Sequence, residues 1–321
     1  MYMKFARRIA SLLVTLVLIG AILITWFARE DIYDWWVLRN YTPPQEVASL
    51  ADETTMTSHA RRIFYVNHPD IAQASQFNQA CSQETSIVIG CYIPGKGIYI
   101  FNITDQRLAG VKQVTAAHEM LHAAYDRLSL SEQRHVDALT EAEYDKLTNQ
   151  RIKDNVEKYR SQDPSVVPNE LHSILATEVS DLSPELENYY KQYFTDRQAV
   201  VRYSNHYEAE FTNRQQQVAN YDKQLAELKG SIDAGKNELN LQLNALKAEK
   251  NRLDSLISQN RIAEYNNAVP GFNANVGSYN VLVHKVDNDI NTYNQIVQSR
   301  NNIAGEMQDL ANSIDSRPQS F

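Results

Sequence analysis

Seven apolar residues, Phe211, Val218, Leu225, Ile232, Leu239, Leu246 and Leu253, follow one another at intervals of seven without a miss. A run of that period commits the chain to a long helix, because only a helix brings every seventh side chain back to nearly the same face. Tyr221, Leu228 and Leu256 supply a second seam position. After a break a second series appears, Tyr265, Phe272, Tyr279, Val286 and Tyr293, with Val269, Val276, Val283, Ile290 and Val297 four residues later. Asn266-Asn267 and Pro270-Gly271 lie at the junction, and a long antiparallel coiled-coil hairpin over residues 205–316 is the simplest account. In such a hairpin Leu253 faces residues near Phe272, and Phe211 residues near Ile314. Heptads alone fix neither partner nor orientation. An arm that binds an envelope partner and a coiled coil that merely dimerises the chain therefore both stay open.

The other end of the chain is greasy. Lys4, Arg7 and Arg8 precede an apolar run from Ile9 to Phe27. Nineteen residues at helical rise approach the ~30 Å hydrocarbon core of a bilayer. The run is longer than a signal-peptide core, and bulky Trp26 spoils a cleavage site. An uncleaved transmembrane anchor over residues 1–28 is expected, a cleaved signal peptide being the alternative. Basic residues before the run and Glu30, Asp31 and Asp34 after it place the N-terminus in the cytoplasm and the rest outside it. Trp26, Trp35 and Trp36 have the character of interface residues. The two cysteines, Cys81 and Cys91, are then expected to form one disulfide. A net charge of -8 argues against a nucleic-acid partner.

Between a juxtamembrane linker over 29–50 and the heptads lies a domain over 51–204. Short helices are expected over Glu46–Asp52 and Thr57–Arg62. Ile63-Phe-Tyr-Val66 has strand character, as do Ser86–Ile93 and Gly97–Ile103, the last two joined by a Pro94-Gly95-Lys96-Gly97 turn. A helix follows, carrying the chemistry: Val114-Thr-Ala-Ala-His118-Glu119-Met-Leu-His122-Ala-Ala-Tyr125. Histidines four apart stand one turn apart on one helix face, where both can hold a single metal ion. Zinc (Zn2+) suits such nitrogen donors, and a catalytic zinc takes three protein ligands and leaves one position open to water. Glu119 is placed to act as the general base. No Pro or Gly interrupts Val111 to Leu128, and Ala116, Ala117, Ala123 and Ala124 leave room around a buried site. Two surface histidines beside an accidental glutamate are the plain alternative.

A strand pair followed by a helix bearing His118-Glu119-x-x-His122 resembles the zincin metallopeptidases over roughly Ser86 to Leu182. The resemblance implies an edge strand, Tyr99 to Ile103, that binds extended peptide by adding it to the sheet. It also implies a third ligand downstream. Ala123-Ala-Tyr-Asp-Arg-Leu-Ser lacks the metzincin histidine, so a gluzincin-like glutamate on a later helix is the better match. Within Asn169–Leu182 the residues Leu171, Ile174, Leu175 and Leu182 form one stripe, and Glu178 falls in its middle. A carboxylate on a core face needs compensation, which a metal supplies. Glu178 is therefore the expected ligand, with Glu170, inside a gluzincin-type Asn169-Glu170 pair, and His172 as alternatives. A salt bridge to an arginine is the other fate open to Glu178. Asp126 and Asp181 are candidates to orient the histidines, and His172, Tyr189, Tyr190 and Tyr193 to stabilise an oxyanion.

The expected fold class is α+β and mostly helical: an N-terminal transmembrane helix, a zincin-like domain with a small sheet, a long hairpin and a tail over 317–321. The expected function is that of a membrane-anchored, extracytoplasmic zinc metallopeptidase acting on protein or peptide. A structural or scaffolding envelope protein with an inert zincin-like domain is the alternative, and an esterase or amidase using the same metal a third.

Overall fold

A computed structural model describes residues 28–82 and 88–317. The chain is mostly helical with one small sheet and two very long C-terminal helices. The expected membrane anchor over Ile9–Phe27 lies outside the described residues, as do residues 318–321 of the tail and part of Ser86–Ile93. No helix among the described residues is long and apolar enough to cross a membrane.

The described residues form two compact units, one within residues 28–209 together with 312–317, the other over 210–311. The first begins with α1 (Arg29–Leu38), α2 (Gln45–Glu53) and α3 (Ser58–Val66), the last capped by the Thr57 hydroxyl on the Ala60 amide. Ile63–Val66, which reads as a strand by propensity, is the closing turn of α3. Its burial explains the composition: Ile63, Phe64 and Val66 form one apolar face packed into the core.

Next come β1 (Asp70–Ala72), α4 (Ala74–Ala80), β2 (Gly90–Ile93) and β3 (Gly97–Phe101). The sheet order is β1-β3-β2, with β1 parallel and β2 antiparallel to β3. The expected hairpin is present, Ile93 pairing with Gly97 and Cys91 with Tyr99. Its roles are exchanged relative to expectation: the strand starting at Gly97 is central, and β2 forms the edge. The reason is β1, whose three residues (Asp-Ile-Ala) are too few to announce a strand, yet which occupies the far side of β3. The Cys81–Cys91 disulfide ties the end of α4 to β2.

The helix α5 (Val111–Tyr125) carries the histidine motif through the core, with Ala116, Ala117, Met120 and Leu121 wholly buried. Small side chains let its neighbours approach closely. After α6 (Leu130–Tyr144), whose capping box is Ser129 with Glu132, comes α7 (Gln150–Gln162), capped by Asn149. Pro168 sits in the first turn of α8 (Val167–Glu178), and α9 (Pro184–Tyr190) is capped by Ser183.

Arg197 is buried beside the end of α8. Its Nη1 donates to the carbonyls of Leu175, Ala176 and Val179 at 3.4, 3.0 and 2.6 Å, and its Nη2 to Ser180 at 2.9 Å. Glu187 neutralises it through Nε at 3.1 Å. Helix-terminal carbonyls that lack intrahelical partners are satisfied here by one side chain.

The second unit is built from α10 (Arg197–Ser258) and α11 (Ile262–Ile314). Asp222 pairs with Arg300, Arg214 with Glu306, and Ser231 bonds Asp289, so residue numbers rise on one helix as they fall on the other. The two helices are therefore antiparallel within one chain. The reversal falls earlier than Pro270. Asn260 adopts a left-handed φ of 55°, with Arg261 N–H bonded to Leu256 and Asn260 N–H to Ile257. That is a Schellman turn, for which asparagine substitutes for glycine. Pro270 lies inside α11, and moving the turn shifts the pairing register several residues from the expected one. The end of α11 belongs again to the first unit, where Ser316 bonds the Asn78 side chain at 2.7 Å.

Candidate metal centre

The α5 face that carries the motif packs on α8, and the group that converges there is His118, His122 and Glu170. One ligand atom from each lies within 4.8 Å of the others. His118 Nε2 stands 3.6 Å from Glu170 Oε2, and His122 Nε2 stands 3.7 Å from Oε1. Two ligands of one tetrahedral ion at ~2.1 Å lie roughly 3.4 Å apart, so these separations suit a shared metal. They are too long for hydrogen bonds.

Two further observations fit an ion. Glu170 Oε2 is buried and has no hydrogen-bond partner, a costly condition for a carboxylate oxygen unless a cation completes it. His122 Nδ1 lies 2.9 Å from Asn169 Oδ1. The amide oxygen only accepts, so Nδ1 carries the proton and Nε2 turns its lone pair toward Glu170. Burial works against ionisation of Glu170, but in the metal-free protein the charge of protonated His118 and His122 rings outweighs it and holds the carboxyl below its ordinary value. Two imidazoles and one carboxylate form a donor set suited to zinc.

Glu178 is not part of this group. As the last residue of α8 it lies eight positions beyond Glu170, about 12 Å along the axis, and its carboxylate meets Arg151 Nη2 at 2.6 Å. Arg151 also pairs with Glu208. The expected stripe is real in Leu171, Ile174 and Leu175, all buried. The helix stops before Leu182, however, so the stripe cannot be continued to place Glu178 over the core. Glu170 occupies the flank that faces α5, and the Asn169-Glu170 pair was the sequence signal for it.

His172 also lies outside this group. It is wholly buried among Tyr125, Tyr189, Tyr190 and Tyr193, with Nε2 3.0 Å from the Tyr189 hydroxyl. Burial pulls its pKa down to about 3. The tyrosines considered as oxyanion donors are thus core residues around His172. The tyrosine that sequence reasoning passed over is Tyr159 of α7, which lines the cleft together with Glu170. Nothing separates it from 17 other tyrosines in the sequence. Asp126 is not the residue that meets Nδ1 of His122; burial and the Asp126 charge push the Tyr92 hydroxyl up to about 12.

The cleft over the site has a volume of about 400 Å³, with β2 on one wall and Tyr159, Ser165 and Val166 on the other. A second cavity of about 220 Å³ continues past His118 and Glu119 toward Arg151 and Glu178. Glu119 is buried at 6% exposure beneath the edge strand. The strand can come this close only because residue 90 is glycine. A Cβ there would stand 2.4 Å from Thr115 Cγ2 and 2.7 Å from Glu119 Oε1. Gly90→Ala is expected to destabilise the fold by about 1–3 kcal/mol, the usual cost of overpacking. Thermal unfolding of the variant against wild type checks this.

Comparison of the chain with known protein families, with curated proteins and with solved structures found no match.

Proposed function

We propose that the protein is a zinc-dependent metallopeptidase of zincin, gluzincin-like type, held at the outer face of the cell membrane by its N-terminal apolar run. The observation that carries this is the convergence of His118, His122 and the unpartnered Glu170 oxygen in a cleft that Glu119 also lines. In this reading His118, His122 and Glu170 hold zinc, which when bound acts as a Lewis acid and acidifies water. Glu119 accepts the proton of the attacking water and returns it to the leaving amine. Asn169 fixes the His122 tautomer, and Tyr159 lines the cleft together with Glu170. The β2 edge offers main-chain groups on its open side, to which an extended peptide adds as a further strand. The antiparallel helices then form an intrachain coiled-coil arm for an envelope partner.

The test uses the purified full chain in detergent. Wild type is expected to carry about one zinc per chain, as one three-ligand site requires, and to cleave a denatured protein. Glu119→Ala should keep the zinc and lose cleavage by a factor of about 10²–10⁴, the usual worth of a positioned general base. Equal cleavage by both forms, or zinc-loaded wild type without cleavage, overturns the peptidase reading and favours a scaffolding role.

A further inference from the structure

A separate cavity, of about 490 Å³, lies between α1, the Asn67-His68 loop and the β2–β3 turn. That volume is in the range of small-molecule sites. We propose that it binds the phosphate headgroup of an anionic phospholipid.

The lining is cationic and aromatic. Arg39, Lys96, Arg127 and His68 face it together with Trp36 and Tyr33, and no Asp or Glu does. Arg127 is neutralised by a two-pronged contact with Asp34, 2.9 Å at each nitrogen. Arg39 and Lys96 are exposed and form no ion pair among the described residues; Arg39 lies over the Trp36 ring at 5.0 Å. In a chain of net charge -8, two unpaired cations at one acid-free cavity mark a place for an anion. The cations are held together by the backbone. Gly97, at φ 143°, approaches the Asn67 carbonyl so closely that a Cβ would stand 2.8 Å from it, and Ile98 N–H bonds the same oxygen. This fixes the Lys96 turn beside His68.

Position argues for a lipid as the source of the phosphate. Helix α1 begins two residues after the apolar run ends at Phe27, and no more than about 15 Å of helix separates that point from Leu38. On the same helix Ile32, Tyr33, Trp35 and Trp36 are exposed, the residue types that settle at the headgroup level of a bilayer. The inference rests on the membrane anchor proposed above and is independent of the metal centre.

The experiment reconstitutes the full chain in nanodiscs of phosphatidylcholine with a minority of phosphatidylglycerol and counts retained lipids by native mass spectrometry. Wild type should retain phosphatidylglycerol in preference to phosphatidylcholine. The variant Arg39→Gln/Lys96→Gln should lose about thirty-fold of that preference, from roughly a factor of five per cation near a membrane surface. The single variant Lys96→Gln, on an exposed turn, should lose about five-fold and guards against misfolding of the double variant. An unchanged preference in these variants overturns the proposal. So does an equal loss in Lys153→Gln/Lys158→Gln, which removes the same charge from α7, or release of the bound lipid by millimolar inorganic phosphate. A chain that fails to enter the nanodisc at all refutes the anchor and this site together, whereas an embedded chain without lipid preference refutes the site alone.

Discussion

Glu170→Gln is expected to lower zinc affinity by about 100-fold or more, and Glu178→Gln to leave it unchanged. Changes to residues that merely orient a ligand typically cost 10–100-fold, and removing the charge of a direct ligand should exceed that. Glu170 provides the one carboxylate of the three-residue group, and its Oε2 has no other partner. Glu178 instead meets Arg151, so its neutralisation unbalances an ion pair well away from the histidines. Competition against a chelating dye reads both affinities. A zinc loss in Glu178→Gln with Glu170→Gln intact would reverse the assignment of the third ligand.

The largest effect on stability is expected at Arg197. Arg197→Ala strands Glu187 and leaves the carbonyls of Leu175, Ala176 and Val179 without their side-chain donor, Ser180 keeping only that of Gln198. Removing one member of a buried, hydrogen-bonded charge pair costs about 3–5 kcal/mol. For a domain of this size that lowers Tm by roughly 6–20 °C. Arg197→Lys should rescue little, since one ammonium cannot serve four carbonyls and a carboxylate at once. Calorimetry on the full chain, following the transition of the first unit, checks this. Because Arg197 closes the helix that presents Glu170, the variant should also bind zinc less well at temperatures below its midpoint.

Periodic features of this chain were legible in the sequence. The unbroken helix over Val111–Tyr125 follows from a stretch without Gly or Pro, and its two histidines fall on one face because four residues make about one turn. The long helices follow from the heptads, the β2–β3 turn from Pro94-Gly95-Lys96-Gly97, and the disulfide from a lone cysteine pair. What failed depended on where elements end and which neighbour they meet. Glu178 looked central only if α8 continued to Leu182; the Arg197 contacts that terminate it come from a residue 19 positions later. Ile63–Val66 looked like a strand because core burial selects the same residue types in a helix face. The edge strand was misassigned because β1 is three residues long. Tyr159 became part of the site through the fold of α7 against α8, which no local pattern encodes.

Residues 312–317 return to the unit formed within residues 28–209, and Ser316 is fastened to Asn78 there. The helical hairpin is thus an excursion that leaves and re-enters one domain, with nothing beyond the reversal at Asn260 needed to close it. Excising matched heptads from both of its helices keeps the seam in phase and both attachment points intact. The span of the hairpin is therefore adjustable by evolution or by an engineer, in steps of about 10 Å, without rebuilding the metal centre.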